Sequence, residues 1–159
     1  MIFAFDAFVT AALWADDQAA FVLGDGTVRW SGGGVVEAHR GAALCAVLHP
    51  KGGVLSGGDD GRLVRSTPAG AMTVAELPRG RWVEAVDASA ASGLAAFGSG
   101  KELHVRDLTD ARFARTFAHE RSVAAVAFDS KGRRVLTATY GGARLWLARI
   151  AEQKPTALN

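Results

Sequence analysis

A long-period echo runs through this chain of 159 residues. His39 and His119, each preceded by an alanine, stand 80 residues apart. The text after them agrees: an apolar run, then His49-Pro50-Lys51-Gly52 against Asp129-Ser130-Lys131-Gly132, then Val54-Leu55-Ser56 against Val135-Leu136-Thr137. Two units of about 40 residues would fill that interval, the length of a four-stranded propeller blade, and weaker copies are then expected between and before the two strong ones.

Those copies are marked by turns. Asp25-Gly26, Asp60-Gly61, Ser99-Gly100 and Gly141-Gly142 each separate two short strand-like runs, and their final glycines recur at intervals of 35, 39 and 42 residues. An X-Gly turn joins antiparallel strands through backbone angles that Gly, Asn and Asp tolerate best, so each site predicts a hairpin. Another short apolar run precedes each hairpin, at 9–14, 42–48, 82–86 and 123–128. The residues also predict that 1–5 form a strand. The chain is therefore expected to be all-β, in blades of four antiparallel strands, with about four repeats at 1–31, 32–67, 68–108 and 109–149. Residues 150–159 read as the start of a next outer strand or a tail. A generic sandwich would give turns every 8–12 residues but no matched residue types at a fixed long offset.

Composition narrows the function classes. Eighteen basic and 16 acidic residues are spread along the chain, so a pI near 9.0 does not mark a concentrated basic field, and nucleic acid is not the expected partner. No apolar segment reaches the roughly 20 residues that span a bilayer. Asp6, Asp16 and Asp17 interrupt the apolar N-terminal stretch, which lacks a preceding Lys or Arg, so it does not read as a signal peptide. The single cysteine, Cys45, sits in an apolar run and is expected to be a small buried thiol in a reducing cytoplasm.

No nucleophile elbow, P-loop or His-Glu-x-x-His pattern is present, so no enzyme activity and no cofactor are expected. His49 and His104 have no Cys/His companion at ligand spacing, and no metal site is expected. His39 and His119 sit at equivalent places in two repeats, where a structural role explains them better than ligation or base catalysis.

These residues resemble the WD-repeat β-propeller family over about residues 3–149, and Arg81-Trp82-Val83-Glu84 among others gives the sequence its likeness to divergent bacterial members. In that family a Gly-His pair opens the repeat, Asp sits in the tight turn and Trp-Asp closes the third strand, with His, Ser or Thr, Asp and Trp linked by hydrogen bonds. The resemblance implies such structural positions at His39, Ser56 and Asp60 in the second repeat, at His119, Thr137 and Trp146 in the fourth, and at Asp25 and Trp30 in the first. The third keeps only Asp107 of the closing pair, and no repeat carries the full tetrad. Ser66 or Arg65 stands near the second repeat's Trp position. Trp14, Trp30 and Trp146 are expected to pack between blades, and Trp82 to do so in preference to anchoring a partner.

Family rings usually hold seven or eight blades, so four repeats imply an incomplete ring. Three explanations stay open: the chain is the N-terminal half of a longer propeller, two copies form a homodimer that completes a ring, or four blades close alone. The implied function is a non-catalytic protein–protein interaction scaffold. The candidate face carries Arg40, Arg79, Arg81, Trp82, Lys101, Arg121 and Tyr140, with Asp59 and Glu120 beside them, and its arginines suit an acidic peptide or phosphate. The alternatives are ligand or nucleic-acid binding at an arginine-lined mouth, or a propeller fragment with no independent function.

Overall fold

The computed structural model describes residues 1–151 and the backbone of 156–157. All its regular structure is strand, and the strands form four sheets of four. Sheet 1 contains β1 (Val9–Ala15), β2 (Gln18–Leu23), β3 (Thr27–Trp30) and β4 (Val35–Glu37). Sheet 2 contains β5 (Ala43–Leu48), β6 (Val54–Gly58), β7 (Arg62–Thr67) and β8 (Gly70–Glu76). Sheet 3 contains β9 (Ala85–Ser89), β10 (Leu94–Ser99), β11 (Glu102–Asp107) and β12 (Ala114–Ala118). Sheet 4 contains β13 (Val123–Phe128), β14 (Arg134–Thr139), β15 (Gly142–Leu147) and β16 (Thr156–Ala157).

Each sheet is an antiparallel meander in chain order, because the connections are too short to do anything but return the chain alongside the strand it has left. The sheets straddle the sequence repeats. β4 lies in 32–67 yet pairs with β3 in 1–31, and β8 and β12 likewise begin the next repeat while finishing the previous sheet. β16 pairs with β15 through Leu145 and Arg144. The rest of the stretch 152–159 lies outside the described residues.

The chain forms two compact units, Met1–Val83 with sheets 1 and 2, and Glu84–Asn159 with sheets 3 and 4. In the first unit, sheets 1 and 2 enclose a core of small residues: Ala15, Ala20, Val22, Val28, Ala38, Ala43, Val54 and Val64, with Trp30 as its one aromatic member. Thr10 ties the sheets together by donating its hydroxyl to the Ala43 carbonyl at 2.9 Å. In the second unit the core between sheets 3 and 4 is bulkier, with Leu94, Leu103, Phe117 and Trp146. Phe117 and Trp146 stack at 4.7 Å, and Asp87 accepts the Phe128 N–H at 2.7 Å.

Several sequence expectations change on contact with this packing. Residues 1–5 are not a strand; Phe3 and Phe5 each lie 5.0 Å from Phe21, so they are apolar because they cover the face of β2 and not because they pair. The run 82–86 becomes strand only at Ala85. Val83, not Trp82, fills the interior: it is fully buried against Gly57, while Trp82 is 52% exposed. Trp14 does not pack inside either, being 72% exposed on β1. Cys45 is half-buried and donates its thiol to the Val83 carbonyl at 3.5 Å. In sheet 4 the turn glycine is Gly141, at φ +79°, and Gly142 already belongs to β15, so Trp146 lies five residues past the turn. One regularity had no sequence signature: β1, β5 and β13 each slip register at their second residue, whereas β9 pairs evenly.

Candidate functional site

Two buried histidine networks brace the loops that carry the candidate face. In the first unit His39, just past β4, donates from Nδ1 to Asp60 Oδ1 at 3.0 Å and accepts the Ser56 hydroxyl at Nε2, 2.8 Å away. Asp60 also accepts the backbone N–H groups of Arg40 and Arg62, at 3.0 and 3.1 Å. It therefore fixes the loop on one side and the β6–β7 turn on the other. Gly58 makes this possible, since a β-carbon there would collide with the imidazole. Burial holds the His39 pKa below its ordinary value despite the pull of Asp60 in the other direction. Burial would raise Asp60, but its bonds to the Arg40 N–H, His39 and the Arg62 N–H outweigh that and keep it below the usual range. A neutral imidazole on an ionised carboxylate follows.

In the second unit His119 donates from Nδ1 to the Phe117 carbonyl at 3.1 Å and accepts the Thr137 hydroxyl at 2.8 Å. Thr137 in turn accepts the indole N–H of Trp146 at 3.2 Å. Burial lowers the His119 pKa, assisted by Arg144 and opposed by the Phe117 carbonyl. Thus the second repeat joins His, Ser and Asp, and the fourth joins His, Thr and Trp. Trp30 in sheet 1 is buried, but its indole N–H has no partner, because Val22 occupies the register position held by Ser56 and Thr137. Asp25 acts locally, accepting the Thr27 N–H at 2.9 Å and the Thr27 hydroxyl at 2.6 Å.

The Ser56–His39–Asp60 chain has the spacing of a nucleophile–base–orienter arrangement. Its chemistry is closed off: Ser56 is 0% exposed on a strand buried at every position, so no substrate carbonyl can approach its oxygen. The network fastens a turn.

Two clefts sit directly on these braces. In the first unit a cleft of about 600 Å³ is lined by Arg40, Asp59, Asp60, Glu76, Leu77, Arg79 and Gly80. In the second unit a cleft of about 290 Å³ is lined by His119, Glu120, Arg121, Thr139, Tyr140 and Arg144, among others. The fold thus brings Arg40 together with Arg79, and Arg121 together with Tyr140, whose ring lies 5.5 Å from the Arg121 guanidinium. Tyr140 is 82% exposed. Lys101 is exposed on the β10–β11 turn, where its carbonyl accepts the His119 N–H at 2.8 Å, but it lines neither cleft. Arg81 is half-buried and Trp82 exposed, and neither lines the first cleft.

The mouths are not lined by arginine alone. Asp59, Asp60 and Glu76 share the first cleft with the two arginines, and Glu120 lies 3.7 Å from Arg144 in the second. Sequence reading overlooked Glu76 and Arg144, although Arg144 falls at the turn-plus-three position of the last hairpin and could have been found by register. Among the described residues no group of three or more His, Cys, Asp or Glu could hold a metal ion, and no helix is long and apolar enough to cross a membrane.

No family model matches the chain, and no curated protein matches it. Among solved structures it is similar to Sqt1 of Chaetomium thermophilum, determined bound to the N-terminus of the ribosomal protein L10. The TM-score is 0.70 at 20% identity, over 89% of this chain and 46% of that one. The chain therefore spans about half the length of the structure it matches. The likeness establishes the fold, four-stranded antiparallel sheets of the β-propeller type.

Proposed function

We propose that the chain is a non-catalytic interaction scaffold whose loop face binds a peptide or protein segment, with an acidic stretch as the preferred element. The observation that carries this reading is the pairing of Arg121 with the exposed ring of Tyr140 over a cleft whose floor is pinned by the His119–Thr137–Trp146 bonds. Loops on a rigid scaffold lose little entropy on binding, and an aromatic–arginine pair is the side-chain chemistry that dominates binding hot spots. Sqt1, which shares the fold, was solved with a protein N-terminus bound, which supports a peptide as the ligand class.

The test is a fluorescence-anisotropy screen of a labelled peptide panel against the full chain and an Arg121→Ala/Tyr140→Ala variant. Binding of acidic peptides that weakens at least tenfold in the variant supports the reading. Equal binding to both proteins removes this face from consideration.

A second reading, that the chain works as part of a larger propeller, is favoured by its apolar faces. Val9 and Trp14 are exposed on sheet 1 of the first unit, with Phe8 just ahead of it, and Leu136 and Leu147 on sheet 4 of the second. A second copy or further blades would cover them. Light scattering that gives a monodisperse monomer without binding of a hydrophobic dye would remove that reading.

A further inference from the structure

Sheet 4 has a second cleft, at the end of its strands opposite to Tyr140. It lies where the β9–β10 turn meets the β13–β14 turn and the chain leaving β15. Its volume is about 600 Å³, and its lining includes Ser92, Ser130, Lys131, Arg133, Leu147 and Arg149. That volume lies in the range of small-molecule sites.

The charge of this cleft differs from that of the two loop clefts. Among the described residues its lining has three cations and no acidic side chain. Among the described residues, the two nearby carboxylates are already committed. Asp129 accepts the backbone N–H groups of Arg133 and Arg134, at 2.8 and 3.1 Å, and the Arg134 guanidinium at 2.8 Å. Those bonds hold its pKa at about 2. Asp107 binds Arg149 at 3.0 Å and thereby orients it without closing the cleft. The side chains of Lys131 and Arg133 have no ion pair or hydrogen bond to other described residues. Two exposed cations without a protein counter-ion, beside a third held in place, give the cleft a positive potential that an anion would complement.

The turn that presents them is closely seated on the β9–β10 turn. Gly132, at φ +64°, seats the β13–β14 turn so closely on Ser89 and Ser92 that a β-carbon would collide with both hydroxyls. The Ser92 hydroxyl is buried without a partner in the protein. Leu147 and Ala91 add an apolar wall to the basic one.

We propose that this cleft binds a small phosphate ester, its phosphate between Lys131 and Arg133 and its body against Leu147. Arginine recognises phosphate through two parallel N–H donors and lysine as a point charge, so the pair supplies both modes. The site is separate from the loop face, and the inference does not depend on the peptide-binding reading.

Titration calorimetry of the full chain with pyrophosphate, with adenosine monophosphate and with a phosphoserine peptide tests it. The expected result is saturable one-site binding of the nucleotide, tighter than that of pyrophosphate, which has no organic body to lie against Leu147. It weakens at least tenfold in Lys131→Ala/Arg133→Ala and is lost in Ala91→Glu, which puts a carboxylate in the lining, while Arg121→Ala/Tyr140→Ala binds like the parent. Both lysine and arginine are exposed, so the double variant should melt with the parent chain. Absence of saturable binding, binding unchanged by the double variant, or binding confined to the phosphoserine peptide each overturns the proposal.

Discussion

The His39 and His119 networks start from the same imidazole and the same hydroxyl position, yet they end on different third partners. In the first unit the chain ends on a carboxylate at the loop surface; in the second it ends on a buried indole. The difference decides what each brace is made of. Asp60 gathers three donors and fixes two loops electrostatically, whereas Trp146 joins the polar chain to an aromatic core in which it stacks on Phe117. Neither unit needs the whole tetrad, because any two bonds to a neutral histidine are enough to saturate its ring nitrogens.

The most severe way to break the comparison is Trp146→Ala. It removes a 3% exposed indole and its stacking partner's contact, with an expected loss of about 3–5 kcal/mol in urea unfolding. The corresponding position in sheet 2 is Ser66, which is buried and has no partner for its hydroxyl. Thr137→Val comes next. It keeps the shape but strands the His119 ring nitrogen and the Trp146 N–H, for about 2–3 kcal/mol by the same measurement.

Acidification probes both networks together. Burial lowers His39 and His119, and burial together with Arg65 and Lys51 lowers His49 to about 4. The unfolded chain therefore takes up protons first. Stability is complete above a pH of about 6.5 and declines as pH falls toward 4, with His49 contributing about 1–2 kcal/mol after allowance for solvent screening. Melting temperatures between pH 7.5 and 4.5 should show the decline, and His49→Gln should flatten it. A melting temperature that rises on acidification would contradict the neutral-imidazole assignment.

The smallest expected effect sharpens the contrast. Ser66→Ala should leave stability within about 0.5 kcal/mol or raise it slightly, since it deletes a buried hydroxyl that bonds to nothing. A loss above that would mean that Ser66 supplies what Trp146 supplies in the other unit.

The turns at Gly26, Gly61 and Gly100 could be read directly, because a left-handed backbone position leaves its residue preference in the sequence. The histidine positions were equally open, since His39 and His119 recur 80 residues apart in matching surroundings. Trp14 and Trp82 were misread for a reason that residue type cannot cure: an apolar side chain on a strand says that some surface should cover it, not that one does. The central packing role of Val83 was not legible because its close fit to Gly57 joins positions 26 residues apart that no local pattern relates. The partition of charge in the clefts was hidden in the same way. Glu76 and Arg79 enter the cleft beside Arg40 only because the end of β8 and the loop after it return past the Arg40 loop.

The sequence by itself determined the hairpins, the period and the residues of both histidine networks, because each depends on neighbours in the chain or on a motif repeated along it. Only the tertiary structure decided which cations are neutralised and which are left open, as at Lys131 and Arg133, and which aromatics are sheltered. Those outcomes depend on distances between turns far apart in sequence, and electrostatic and packing energies are set by such distances.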